Sequence, residues 1–231
     1  NNLALKGVAQ ARGGTGGHVI TSQIEHKAIL DTARQLEEAG VAVTYLAPDA
    51  EGLITAQAVR EALRDDTFLV SLMLVNNELG TVNDIPAIGQ VVREHGALLH
   101  VDAAQGAGKV AIDLKEWAVD LMSFSAHKIY GPKGIGALYV GPRARQGLQA
   151  QIHGGGHEGG LRSGTLATHQ IAGMGAAFAL AAEFFDEEAA SIAALHERLI
   201  GPLRVLAGVR LNGSAAQRIP HTLSLTFNEG E

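Results

Sequence analysis

Along this chain, short apolar runs alternate with stretches in which apolar residues recur every three or four positions. Val19 to Ile24 is strand-like and leads into His26. From Lys27 to Glu38, Ile29, Ala33 and Leu36 fall on one face, the stripe an amphipathic helix requires, and Gly40 stops it. Val41 to Leu46 reads as the next strand, and Thr55 can cap a helix carrying Val59 and Leu63. Phe68 to Val75 is almost continuously apolar, the signature of a strand buried on both faces. Asn76 to Gly80 is a loop, and Asp84 caps a helix with Ile88, Val91 and Val92 that Gly96 ends. Ala97 to Val101, Asp120 to Phe124 and Gly136 to Val140 are the remaining strands. Strands spaced by helices imply βαβ units and a mostly parallel sheet, an α/β fold.

After about residue 141 the pattern changes. His153 to Gly164 is a glycine-rich loop, and helical segments follow at about 166–186 and 187–207. Asn212-Gly213 reads as a turn and Leu223 to Phe227 as a strand, so this part is α+β and begins a second domain. No internal repeat or low-complexity tract is present. The longest run of small apolar residues, Ile171 to Ala182, has 12 residues. Crossing a membrane takes roughly 18 or more, so no transmembrane helix is expected. With 46% hydrophobic and 18% charged residues, the chain lies outside the disordered range. A net charge of −6 argues against a nucleic-acid coat or a binder of anionic membranes. The lack of cysteine excludes a disulfide scaffold, and cysteine-ligated zinc or iron–sulfur sites, within this span. Asn1-Asn2-Leu3-Ala4 has no signal-peptide pattern, which points to the cytoplasm. It has no initiator Met either, and the chain stops four residues after a strand. A fragment cut at both ends is expected.

Polar groups collect just after the predicted strand ends, where ligands bind in open parallel sheets. His26 follows the first strand, Asn77 the run ending at Val75, Asp102 and Gln105 the run ending at Val101. Ser125, His127 and Lys128 follow the run ending at Phe124. Lys128 reads either as a solvated lysine in a turn or, near other cations at a strand end, as an amine nucleophile. The second suits a Schiff base with a carbonyl cofactor, with Ser125 and His127 bonding a phosphate. Asp102 either caps the following turn or is a carboxylate held against a pyridinium nitrogen, which makes the ring an electron sink. His26 is a polar residue at a helix start, or an imidazole that stacks on a ring and moves protons. Asn77 is an ordinary turn residue, or a hydrogen-bond partner of a cofactor or substrate. His153 and His157 have a zinc-like spacing only on a helix, and the three glycines between them forbid one. Gly159 to Thr165 reads as a loop presenting Arg162, Ser163 and Thr165 to an anion. Gly108-Lys109 and Gly131-Pro-Lys-Gly134 lack the spacing of a P-loop.

Ser125-Ala-His-Lys-Ile-Tyr-Gly-Pro-Lys-Gly-Ile-Gly136 resembles the lysine loop of the fold-type I, class V pyridoxal-phosphate enzymes, and more narrowly that of the group I cysteine desulfurases. Glu25-His-Lys-Ala28, Val75-Asn-Asn-Glu78, His100-Val-Asp-Ala103 and Arg162-Ser-Gly-Thr165 match in the same order, over essentially the whole chain. The resemblance implies a three-layer sandwich with a mostly parallel sheet. Residues 1–165 would be the cofactor-binding large domain, and 166–231 its last helix and the start of a small C-terminal domain. Pyridoxal 5'-phosphate is the implied cofactor. Lys128 would carry it, Asp102 would pair with its pyridinium nitrogen, and His26 would stack on the ring and shuttle protons. Gln105 would bond the ring hydroxyl, Ser125 and His127 the phosphate, joined by Thr165 from the other subunit of a homodimer. Asn77 would help bind cofactor or substrate.

The implied reaction takes sulfur from L-cysteine, leaving L-alanine, and carries it as a persulfide. The acceptors would be an iron–sulfur scaffold protein and other sulfur acceptors. Asn1-Asn2 looks like the tail of a phosphate loop, and the catalytic cysteine would fall beyond Glu231. A selenocysteine lyase, an aminotransferase or a non-catalytic paralogue are the competing readings.

Overall fold

A computed structural model describes residues 1–228. Its centre is a six-stranded sheet built from β1 (His18–Ser22), β2 (Ala42–Leu46), β3 (Thr67–Met73), β4 (Leu98–Asp102), β5 (Leu121–Ser125) and β6 (Gly136–Val140). The spatial order is β2-β1-β3-β4-β5-β6, parallel throughout except that β6 runs antiparallel to β5. The sheet is therefore mixed and mostly parallel.

Successive side chains of a strand point to opposite faces, and both faces here are apolar. Val19, Leu69 and Leu121 pack with Leu5, Val8, Ile29 and Leu36 of α1 (Asn2–Ala11) and α2 (Lys27–Glu38). Their neighbours Ile20, Val70 and Met122 pack with Val59, Ile85, Ile88 and Val92 of α3 (Ala56–Ala62) and α4 (Ile85–His95). Helices thus cover the sheet on both sides, making three layers, and every residue of β3 is buried.

The caps follow the chemistry of the sequence. Thr55 accepts the Ala58 N–H, Asp84 accepts that of Ala87, and Gly96 closes α4 at φ 93°, a conformation that costs glycine little. β4 and β5 end one residue later than their apolar runs, because backbone pairing continues through the first polar residue, whereas β1 and β3 end earlier than theirs, at Ser22 and Met73. Asp102 and Ser125 are the last residues of β4 and β5 and do not follow them.

Beyond β6 come the single turn α5 (Pro142–Arg145), then α6 (Thr168–Glu183) and α7 (Phe185–Arg204), which divide at Phe184. A two-stranded antiparallel ribbon, β7 (Val209–Leu211) and β8 (Leu225–Phe227), forms a separate sheet. Arg218 ties this region to the turn after β3, donating to the carbonyls of Leu79 and Thr222 at 2.9 and 2.8 Å. Among the described residues no helix is long and apolar enough to cross a membrane.

Candidate active site

The carboxyl ends of β1, β3, β4 and β5 open on one side of the sheet, and register aligns Met73, Asp102 and Ser123 across three of them. A cavity of about 920 Å³ lies there. His26, Asn77, Asp102 and Gln105 line it, together with Ser125, His127, Lys128 and Thr165. The structure therefore gathers every residue singled out from the strand ends, along with Thr165 from the glycine-rich loop.

Asp102 is 6% exposed at the end of β4. One carboxylate oxygen, Oδ1, accepts the Ala104 N–H at 3.0 Å. The other, Oδ2, accepts Asn1 Nδ2–H at 2.7 Å. A carboxylate has about four acceptor positions, so two remain for a group in the cavity. Asp102 thus caps the turn and also faces the cavity.

His26 is the N-cap of α2. Its Nδ1 accepts the Ala28 N–H at 3.1 Å, so in the neutral ring the hydrogen sits on Nε2. The residue before it, Glu25, is almost fully buried. Its Oε1 accepts from Ser22 Oγ–H at 2.8 Å and from Met73 N–H at 3.0 Å, while Oε2 has no partner. Burial pushes the Glu25 carboxyl up to about 8; those two hydrogen bonds oppose the shift and the Asp102 charge adds to it.

Ser125, Lys128 and His127 come from the end of β5 and the 3₁₀ turn Ala126–Ile129 that follows. Ser125 Oγ and His127 Nδ1 lie 2.9 Å apart, a polar pair on the cavity wall. Lys128 is exposed into the cavity, and Tyr130 closes the turn at φ 62°.

Gln105 lies in two overlapping turns after β4, where Lys109 Nζ–H donates to its Oε1 at 2.8 Å. Asn77 faces the cavity, whereas its neighbour Asn76 is structural. The Asn76 side chain holds the Ile24 carbonyl and accepts the N–H groups of Glu78 and Leu79.

The loop 153–164 departs from expectation in one residue. Arg162 and Thr165 reach the cavity, but Ser163 is buried, and its Oγ accepts the Gly156 N–H at 3.3 Å. Ser163 fastens the loop and presents nothing to an anion. His157 does similar work, its Nδ1 accepting the Gly164 N–H.

Glu25 and Lys109 make contacts at the site that the sequence did not single out, and Asn1, which the sequence places at the tail of a phosphate loop, bonds Asp102. For Lys109 the signal was its spacing of four from Gln105. Nothing local marks Glu25 as buried.

An open α/β sheet with a lysine, a carboxylate and a polar pair at its carboxyl edge defines an enzyme-like ligand site of the doubly wound class. The chain matches the Aminotransferase class-V family over residues 1–231, and it belongs to that family. It is 62% identical to the cysteine desulfurase IscS of Azotobacter vinelandii over its full length, and spans 58% of that protein. The crystal structure of DndA from Streptomyces lividans superposes with a TM-score of 0.90 at 39% identity, covering 97% of this chain and 64% of that one. The structure of SspA in complex with cysteine superposes at 0.86 with 44% identity, covering 98% and 63%.

The family's cofactor is pyridoxal 5'-phosphate. The residues present fit it. The cavity has room for a ring and a phosphate, and an amine and a carboxylate reach it from different strands. Asp102 keeps acceptor capacity, and the buried Asn1 Oδ1 has no partner among the described residues.

Proposed function

We propose that the protein to which this chain belongs is a pyridoxal-phosphate-dependent cysteine desulfurase, taking sulfur from L-cysteine and releasing L-alanine. The observation that carries the reading is the meeting of Lys128 and Asp102, from two different strands, on one cavity of a chain 62% identical to such an enzyme. Bound there, the cofactor supplies an electron sink for the pair left when the substrate's α-proton departs.

The chain's own residues do the rest. Lys128 offers the amine that holds the cofactor's carbonyl carbon. When not holding the cofactor, the Lys128 amine would serve as a base within the cavity. Asp102 keeps a proton on the ring nitrogen. His26 holds its hydrogen on Nε2 while Nδ1 caps α2, so the imidazole enters as a proton donor. Ser125 and His127 hold the phosphate, Gln105 the ring oxygen, and Asn77 the cofactor or substrate.

The thiolate that takes the sulfur lies outside these 231 residues, which contain no cysteine. Its product is a persulfide, passed to an iron–sulfur scaffold protein or another acceptor in the cytoplasm. Thr165 is exposed at the cavity rim, open to a second copy of the chain. A homodimer in which Thr165 completes the neighbouring site follows from this reading.

The test is alanine formation from L-cysteine by the full-length protein. Lys128→Ala should abolish turnover. Asp102→Asn should lower kcat by on the order of 10²–10⁴, the size of a positioned acid–base contribution. Full turnover in Lys128→Ala would refute the scheme. Activity on an amino acid other than cysteine would move the protein to the aminotransferase or lyase branch.

A further inference from the structure

Lysine has hydrogen-bond donors and no acceptor in its charged form, whereas the two ends of a glutamine amide are opposite in character. The 2.8 Å contact between Lys109 Nζ and Gln105 therefore fixes which end of the amide is which: Oε1 faces the lysine. The end left for the cavity, which Gln105 lines, is Nε2, a donor.

The local fold holds this arrangement in place. Gly106 and Ala107 both bond back to the Ala103 carbonyl, and Lys109 and Val110 to that of Gly106. These overlapping turns bring residues four apart face to face. Gly106 lets them pack closely on β3's continuation, since a Cβ there would meet the Leu74 side chain. Lys109 is half-buried; burial first and the Lys128 charge second disfavour its ammonium form, while Glu188 favours it. The carbonyl oxygen of Gln105 is thus a partner the lysine needs.

We infer that Lys109 is a positioning residue: it holds the Gln105 amide with its NH₂ end toward the cavity, so that the site selects a ring bearing an acceptor oxygen at that point. This rests on the pyridoxal-phosphate reading of the cavity and assigns a specificity function within it. Without Lys109 the amide turns freely and accepts as readily as it donates, and the preference for the oxygen is lost.

The experiment compares two ligands on the full-length apoenzyme by fluorescence titration: pyridoxal 5'-phosphate and its 3-deoxy analogue, which lacks the ring oxygen. Lys109→Met should raise the dissociation constant for pyridoxal 5'-phosphate roughly tenfold, the scale of one hydrogen bond. It should leave the analogue within about twofold. Lys109→Arg, which keeps donors and charge, should restore the discrimination. If Lys109→Met fails to fold, Lys109→Gln makes the same comparison, since its amide accepts either end of Gln105 and should likewise lose discrimination.

Equal weakening of both ligands would mean that Lys109 acts by charge alone, and unchanged binding of both that it does nothing here; either overturns the proposal. Failure of the unmodified protein to bind pyridoxal 5'-phosphate would instead overturn the reading on which it rests.

Discussion

Glu25 is a carboxyl whose surroundings oppose its charge. It is 5% exposed, one oxygen is unpartnered, and the Asp102 charge lies nearby, so the folded protein holds the carboxyl's proton up to a pH of about 8. The unfolded chain releases it near the ordinary glutamate value of 4.5. Between those limits the folded state binds more protons than the unfolded one, so this group's contribution to stability falls as pH rises. At its steepest the loss is about 1.4 kcal/mol per pH unit. Glu25→Gln should flatten that slope and leave the protein more stable than the parent at pH 8. Urea denaturation at pH 5.5, 7 and 8 tests this; identical slopes for the two proteins would show that Glu25 is ionised in the fold. Little of this is legible in the sequence. Ser22, Gln23 and His26 surround Glu25 with polar neighbours, and only the close approach of β3 reveals that the carboxyl is enclosed. Lys128, Asp102 and His26, by contrast, stand out because each follows an apolar run.

Among the elements, β6 has a particular importance, because it pairs with the strand that delivers Ser125 and the turn carrying Lys128. Ser125 pairs with Gly136, and a Cβ at Gly136 would sit 2.6 Å from the Phe124 carbonyl oxygen. That obstacle is backbone and cannot rotate away. Gly136→Ala should cost about 1–3 kcal/mol, the range for overpacking. It should appear as a lower denaturation midpoint with an unchanged m value, and as weaker cofactor binding. A midpoint equal to the parent's would show that the strand pair relaxes freely.

The strands and helices of the sheet region were legible because both periods are strong there. α1 was not, although Asn1 is a favoured N-cap type; its side chain bonds Asp102 and not its own helix. α5 and β7 span only four and three residues, too short for any period to register.

At the scale of the molecule, two apolar layers press on a sheet whose carboxyl edge stays polar, and that contrast places the cavity. Order along the chain anticipates it, because His26, Asn77, Asp102 and Lys128 each lie at or beyond the end of a different strand. What the sequence does not show is how those groups are oriented: His26, Gln105 and one oxygen of Asp102 are fixed by hydrogen bonds to residues two to four positions away, and the other oxygen of Asp102 by Asn1 from a different element. Two lysines, 109 and 128, approach the same region and interact electrostatically, yet their work differs: Lys128 is to hold the cofactor and Lys109 to orient Gln105. Borohydride reduction of the full-length protein loaded with pyridoxal 5'-phosphate, followed by peptide mass spectrometry, separates them. A pyridoxyl group is expected on the peptide containing Lys128 and none on that containing Lys109. A label on Lys109 or elsewhere, or no label at all, would contradict that assignment.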